Sequence, residues 1–287
     1  MISKTMNFFW GNEKMSWLRY MTLFSFKVTN PDWKIRLYFT EPVAVEKTWS
    51  EYNQQDFFAF VGDDVTEKIL SLGVEIRSWE LSNPELTEAK EVKLIGPSHK
   101  SNFFKWGLLA KESGFYADMD ILFTSSLNDY YEKVKDVDVV NCFRNNHFSI
   151  GFLGSSGENK FYSDIFQHTY SSFNLGTYQS AGVMSIYTWL QKQPQYTGKY
   201  WEQILELYPQ LKFYNNTMDF VYPWNWLHLE EVFEKKHTSL PEGCVGIHWY
   251  AGAVIAQEYN NLLSEDNLSK YDSTISYFAQ KVLAGDA

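Results

Sequence analysis

The sequence predicts an α/β fold, a mostly parallel sheet flanked by helices with a helix-dominated C-terminal part, and three observations carry that reading. Segments patterned like strands alternate with segments of helical period from the N-terminus onward, as a parallel sheet with covering helices requires. From about Tyr196 the helical pattern takes over, broken by one apolar strand. A chain of 287 residues, 45% of them hydrophobic, can fill the core that such a sheet needs.

MNFFWG, residues 6–11, reads as a short buried strand. A helix follows from about Ser16 to Val28, with Trp17, Leu18, Met21, Phe24 and Val28 at helical spacing, and Asn30 and Pro31 end it. Lys34 to Phe39 is a strand, Asp64 to Leu72 a helix closed by Gly73, and Val74 to Trp79 another strand. In GPSHKSNFFKWGLLAKESG, the residues Phe103, Phe104, Leu108 and Leu109 repeat at helical spacing, with Gly114 as a left-handed cap. Phe115 to Met119 then forms an apolar strand. Further strands are expected over Asp138 to Phe143, Phe148 to Leu153 and Cys244 to Trp249. Helices are expected over Asn159 to Phe173, Gly182 to Gln191 and Leu268 to Leu283. No repeat, low-complexity tract or linker divides the chain, so residues 1–287 read as a single domain.

Chemistry concentrates in GFYADMDILF, where Asp118 and Asp120 are one residue apart at the end of a strand. Extended chain has a side-chain period of 2, which puts both carboxylates on one face and Met119 on the other. Such a pair is a ready site for a hard divalent cation, and a cation there can hold a diphosphate. Alone, D-x-D reads equally well as an exposed acidic turn. The C-terminal end of a strand is where open α/β sheets bind ligands, and that position shifts the balance toward a site.

Composition narrows the partners. The formal charge is 25 − 35 = −10, with no basic stripe, which argues against nucleic acid and implies that a phosphate-bearing ligand needs a metal. Cys142 and Cys244 read as reduced packing residues, suiting a reducing compartment. No apolar run approaches the ~20 residues of a membrane span and the N-terminus lacks a signal-type core, so the expected location is cytoplasmic. Aromatics suit stacking on sugar rings, but most aromatics pack cores, so their abundance decides nothing.

Six segments together resemble one family. NFFWGN, SFKVTNPDWKIRLY, SNFFKWGLLAKESGFYADMD, YQSAGVMSIY with FVYPWNW, and GIHWYAGA follow in order the pattern of GT-A glycosyltransferases of the D-x-D sugar-binding type. That family includes yeast α-1,6-mannosyltransferases and relatives of clostridial glucosylating toxins. The central segment resembles S-D-x-x-R-x-x-x-L-x-x-x-G-G-x-Y-x-D-x-D and departs from it at Asn102, Lys105 and Ser113, where the family has an acid, an arginine and a glycine. Lys105 keeps the charge but loses the bidentate fork.

The resemblance implies a GT-A fold and a metal-dependent, retaining transfer of a hexose from a nucleotide-diphosphate sugar to a hydroxyl acceptor. It makes Asp118, Asp120 and Lys105 the catalytic set, and Asp118, Asp120 and His248 the ligands of Mn²⁺ or Mg²⁺. An imidazole beside carboxylates leans toward Mn²⁺. Phe9, Trp10 and Gly11 become candidates for the base, while Asn102 and Lys105 grip the ribose, sugar or phosphate. Gln179, Ser180, Ala181 and Gly182 line the sugar pocket, and Gly252 lets backbone approach the diphosphate. Each also has a plain structural reading: core packing for Phe9, a helix cap for Ser180, a turn for Gly252, a buried histidine at a strand end for His248. His99, His147 and His168 have no partner pattern, and nothing ranks Asp138 or Asp219 as a carboxylate near the anomeric carbon.

An inactive transferase homologue is one alternative, and two other classes compete. An aspartyl-nucleophile phosphohydrolase also places D-x-D after a strand, but near the start of its domain and before Thr or Val, whereas Ile121 follows here. A non-catalytic sugar-binding module suits the aromatics, yet such modules are β-rich and need no D-x-D. The acceptor, whether glycan, lipid-linked glycan or protein, leaves no signature; the aromatic-rich Tyr222 to Leu229 is a candidate loop for it.

Overall fold

A computed structural model describes residues 1–286 apart from 12, 41–59, 82–95, 145, 175–176, 195 and 197. Among them, nine strands and nine α-helices alternate along the chain. They run β1 (Thr5–Trp10), α1 (Trp17–Thr29), β2 (Lys34–Phe39), β3 (Glu75–Ser78), α2 (Pro97–Lys111), β4 (Ser113–Ala117), β5 (Ile121–Phe123) and α3 (Asn128–Val134). Then come β6 (Val139–Arg144), β7 (His147–Ser156), α4 (Lys160–Ser172), α5 (Val183–Gln191), α6 (Tyr200–Leu207), β8 (Phe213–Asn216), α7 (Glu230–Phe233), β9 (Gly246–His248), α8 (Val254–Leu262) and α9 (Thr274–Ala284).

Seven strands form one sheet in the order β3-β2-β1-β4-β7-β6-β8, and β5 pairs with β9 in a second, two-stranded sheet. Within the large sheet only β7 runs against its neighbours. The mostly parallel sheet with flanking helices is thus what alternation predicted. Both faces of the sheet are covered, which is why β1 is buried along its whole length. Met6, Phe8 and Trp10 pack toward α1 and the C-terminal helices, while Phe9 packs on the opposite face with α2, α4 and α5.

Local signals were read well where they are short-range. Ser16 caps α1 by accepting the Arg19 backbone N–H, and the buried Asn30 follows the helix at the position where the sequence marks a stop. Other boundaries moved. The expected helix at 64–72 is a 3₁₀ turn, Thr66–Leu72. The expected terminal helix divides into a 3₁₀ turn at Leu268–Lys270 and α9, capped by Ser273 and by Gly285 in the left-handed region. The late strand is confined to Gly246–His248 because it pairs only with the three residues of β5.

Gly114 is a correction with a physical reason. Helix α2 ends at Lys111 without it, and Gly114 sits inside β4 at φ +147°, where an added Cβ would lie 3.1 Å from the Thr5 carbonyl oxygen. It is therefore a close-approach residue between β1 and β4, not a helix cap. Cys142 and Cys244 form no disulfide, and burial pushes each thiol up to about 12, which leaves them protonated and unreactive near neutral pH. No described helix is long and apolar enough to cross a membrane.

Candidate active site

At the carboxyl ends of β1 and β4 the chain opens a cleft whose lining includes Phe9, Trp10, Gly11, Asn102, Lys105, Tyr116, Asp118, Asp120, Gln179 and Gly252. The D-x-D pair reaches it differently from the strand reading. Strand β4 stops at Ala117, the Asp118 N–H still donates to the Gly151 carbonyl at 2.8 Å, and the chain then turns through Met119 and Asp120 into β5. A turn between two strands, and not side-chain alternation along one strand, presents the two carboxylates.

That turn also brings in the histidine. Ile121 of β5 pairs with His248 of β9, and the Trp249 N–H donates to the Asp120 carbonyl at 2.9 Å. His248 Nε2 consequently lies 3.2 Å from Asp120 Oδ1. The Tyr250 N–H donates to His248 Nδ1 at 3.3 Å, which holds the ring with Nε2 facing the carboxylate. Tyr222 backs the imidazole, ring to ring at 5.0 Å.

Both aspartates are anchored by hydrogen bonds from the protein. Asp118 Oδ1 accepts from Lys105 Nζ at 3.0 Å and from the Tyr116 hydroxyl at 2.7 Å. Asp120 Oδ2 accepts the Ala251 N–H at 2.9 Å. Burial pushes the Asp120 carboxyl up, but the charge and hydrogen bond of His248, the charge of Arg19 and the Ala251 N–H outweigh it and hold the group below the usual carboxylate range. Asp118 Oδ2 keeps no protein donor among the described residues. One ligand atom each from Asp118, Asp120 and His248 falls within 4.8 Å of the others, a two-oxygen, one-nitrogen set that fits a divalent cation.

Gly151 makes room for this. A Cβ there would lie 2.7 Å from the Tyr222 hydroxyl, 2.9 Å from Asp118 Oδ2 and 3.2 Å from His248 Cδ2. Gly151→Ala is therefore expected to push the carboxylate and imidazole apart, weakening divalent-cation binding and costing about 1–3 kcal/mol of stability. Mn²⁺ titration by calorimetry checks it, and wild-type affinity in the variant would show that the site tolerates the methyl group.

The remaining sequence candidates divide by position. Lys105 is buried on α2, its Nζ held by Asp118, by the Ile150 carbonyl at 3.1 Å and over the Tyr116 ring at 4.7 Å from its centroid. Burial and the Asp118 charge push the Tyr116 hydroxyl well above its ordinary range, so it stays a donor. Asn102 and Gln179 converge at Gly182, where a Cβ would lie 2.9 Å from Asn102 Nδ2 and 2.5 Å from Gln179 Oε1. Gly182 itself stands behind them, outside the cleft lining. Ser180 turns away, its hydroxyl donating to the Asn174 carbonyl at 2.6 Å, and Ala181 is fully buried. Phe9 packs on Trp79 and Phe104 with only its margin on the cleft. Gly11 abuts Pro97, which a Cβ would meet at 2.7 Å. Asp138 serves the sheet, accepting from the Lys212 N–H at 2.8 Å and the Ser156 hydroxyl at 3.2 Å, and neither it nor Asp219 lines the cleft.

Sequence reasoning missed Tyr116, Gly151 and Arg19, and treated Tyr222 only as part of a loop. Tyr116 sits beside the D-x-D and was findable as a polar tip in an otherwise apolar strand. Gly151 and Arg19 carry no local signal, because their roles come from contacts with distant segments.

Residues 41–136 match the family model described as a glycosyltransferase sugar-binding region containing a DXD motif. Among curated proteins, none matches the sequence. Solved structures with a similar course include the PaToxG glycosyltransferase, 14% identical over 72% of this chain and 75% of that one, with a TM-score of 0.49. The apo-form glycosyltransferase GlyE of Streptococcus pneumoniae TIGR4 is 13% identical over 94% of this chain and 65% of that one, at 0.46. The galactosyltransferase LgtC, in complex with donor and acceptor sugar analogues, is 13% identical over 93% of this chain and 99% of that one, at 0.44. The family match, about a third of the chain, takes in α2, β4 and both carboxylates of the site, and that stretch is similar to the D-x-D sugar-binding region of glycosyltransferases.

Proposed function

We propose that this protein is a metal-dependent, retaining hexosyltransferase that uses a nucleotide-diphosphate sugar, with a UDP-sugar as the favoured donor, and a hydroxyl acceptor on a glycan, lipid-linked glycan or protein. The observation that carries the reading is the Asp118, Asp120 and His248 set, gathered within 4.8 Å beside a cleft at the carboxyl ends of parallel strands. A bound divalent ion, Mn²⁺ being favoured by the mixed oxygen and nitrogen ligands, supplies charge neutralisation at the diphosphate as the nucleotide departs.

The protein's own groups do the rest. Lys105 and Tyr116 fix one oxygen of Asp118, and the Ala251 N–H fixes one of Asp120, so the ligands are oriented before a donor arrives. Asn102 and Gln179 offer amide donors and acceptors to sugar hydroxyls from the cleft lining. Among the described lining residues the carboxylates are Glu13, Asp118 and Asp120, and the two aspartates are committed as ligands. That scarcity supports attack without a dedicated base. The acceptor oxygen bonds to the anomeric carbon on the face from which the phosphate leaves, the bond from that carbon to the phosphate oxygen breaks, and the acceptor proton passes to a phosphate oxygen.

Thermal unfolding with UDP, GDP or CMP, each with Mn²⁺ or EDTA, tests the reading, since a ligand of the native state raises the midpoint by mass action. A Mn²⁺-dependent rise with one nucleotide is the expected result and identifies the donor class. No rise with any of the three would overturn it.

A further inference from the structure

Arg19 stands in the first turns of α1, and its guanidinium lies over two indole rings, 5.4 Å from the centroid of Trp10 and 5.1 Å from that of Trp249. Both rings are held in place. Trp249 is fully buried just beyond β9, and Trp10, at the end of β1, donates its indole N–H to the Glu13 carbonyl at 2.8 Å. Arg19 lines the same cleft as Asp118 and Asp120. Yet among the described residues no carboxylate lies within ion-pairing distance of its side chain and no acceptor receives its N–H groups.

A guanidinium offers five N–H donors along its edges and a weakly hydrated face. Here two indole rings hold the group by cation–π contact, which costs it little, while among the described residues no acceptor receives its N–H groups. Lys105, a buried cation of the cleft, is already engaged, held by Asp118 and the Ile150 carbonyl. Lys14 is exposed at the rim and has no such support. A cleft of a chain with net charge −10 that leaves one oriented, unpaired guanidinium beside a metal-ligand set is built to receive an anion with several oxygens.

We propose that Arg19 is a phosphate-binding residue, gripping the diphosphate of the donor through its N–H edges while Trp10 and Trp249 hold it in place. This rests on the transferase reading for the nucleotide, but not for the diphosphate itself. It also gives Trp10 a role other than stacking on the base.

The test uses calorimetric binding of UDP, inorganic pyrophosphate and uridine, in Mn²⁺, to the wild-type protein and to Arg19→Met and Arg19→Lys. The expected result is a loss of about 10- to 100-fold in affinity for UDP and pyrophosphate in Arg19→Met, with uridine unaffected. Arg19→Lys should recover only part of that loss, because the fork is gone. Equal UDP and pyrophosphate binding by wild type and Arg19→Met overturns the inference and leaves the transferase reading standing. Wild-type binding of pyrophosphate but not UDP, lost in Arg19→Met, supports the inference and overturns the nucleotide reading. Failure of the wild type to bind either overturns both. Should the substitutions unfold the protein, phenylglyoxal labelling of wild-type Arg19 decides: slower labelling with Mn²⁺ and pyrophosphate supports the role, and an unchanged rate refutes it.

Discussion

Asp120→Asn is expected to abolish transfer, lowering kcat by about 10³-fold or more, or roughly 4 kcal/mol of transition-state stabilisation. The substitution keeps the shape of the side chain and an oxygen for the Ala251 N–H, so the turn between β4 and β5 should survive. What it removes is the charge facing His248 at 3.2 Å and half of the negative charge that holds a cation. The Mn²⁺-dependent rise in melting point with nucleotide should disappear with activity, because both depend on the same ion. Stability carries a second signature. Asp120 is held below its ordinary value of 3.8 in the folded chain, chiefly by His248 acting against the burial penalty. A depressed folded value means that the charged form stabilises the fold at pH above the unfolded value, and that this contribution is lost as pH falls through the folded one. Asp120→Asn should therefore be less stable than wild type at pH 7, with the gap narrowing progressively below about pH 4. Urea unfolding at pH 7 and pH 3 measures it. A variant that keeps Mn²⁺-dependent turnover would remove Asp120 from the metal site.

The parts of this site that sequence revealed are those encoded by neighbours along the chain. Strand β2 was placed to the residue, and the alternation of elements predicted the parallel sheet. Asp118 and Asp120 were legible because a paired carboxylate after a strand is a local pattern. Their geometry was not. Strand period put both on one face, whereas the strand ends at Ala117 and a turn presents them. Similarly, Lys105 read as a ligand of the donor, and the fold pairs it with Asp118, because helix α2 lies across β4 and faces it with buried polar residues. Gly114 looked like a helix stop, while its real constraint is the Thr5 carbonyl of a strand far away in sequence. Gly151 and Arg19 escaped for the same reason. A missing Cβ beside His248, or a guanidinium over Trp10 and Trp249, exists only after β7, α1 and β9 have been brought together.

Lys105→Met is expected to destabilise the metal-free protein while strengthening its response to Mn²⁺. The side chain is 2% exposed and its Nζ bonds Asp118 and the Ile150 carbonyl, so methionine fills the space but leaves Asp118 with only the Tyr116 hydroxyl. Breaking a fully buried pair costs about 3–5 kcal/mol, and because the Asp118 side chain is 26% exposed, solvent reduces that to about 2–3 kcal/mol. The melting point should fall by about 5–10 °C. Added Mn²⁺ then acts on a site that has lost an opposing positive charge, so the ion should raise the melting point of the variant more than that of wild type. The same variant separates two roles for Lys105. If its charge serves to orient Asp118, UDP affinity measured at saturating Mn²⁺ stays close to wild type and only the Mn²⁺ dependence moves. If instead Lys105 swings to the donor phosphate, UDP affinity falls even at saturating Mn²⁺. The bonds that hold Lys105 to Asp118 and to the Ile150 carbonyl in a nearly solvent-free slot favour the first outcome, since moving Nζ to a ligand would leave both acceptors unpaired.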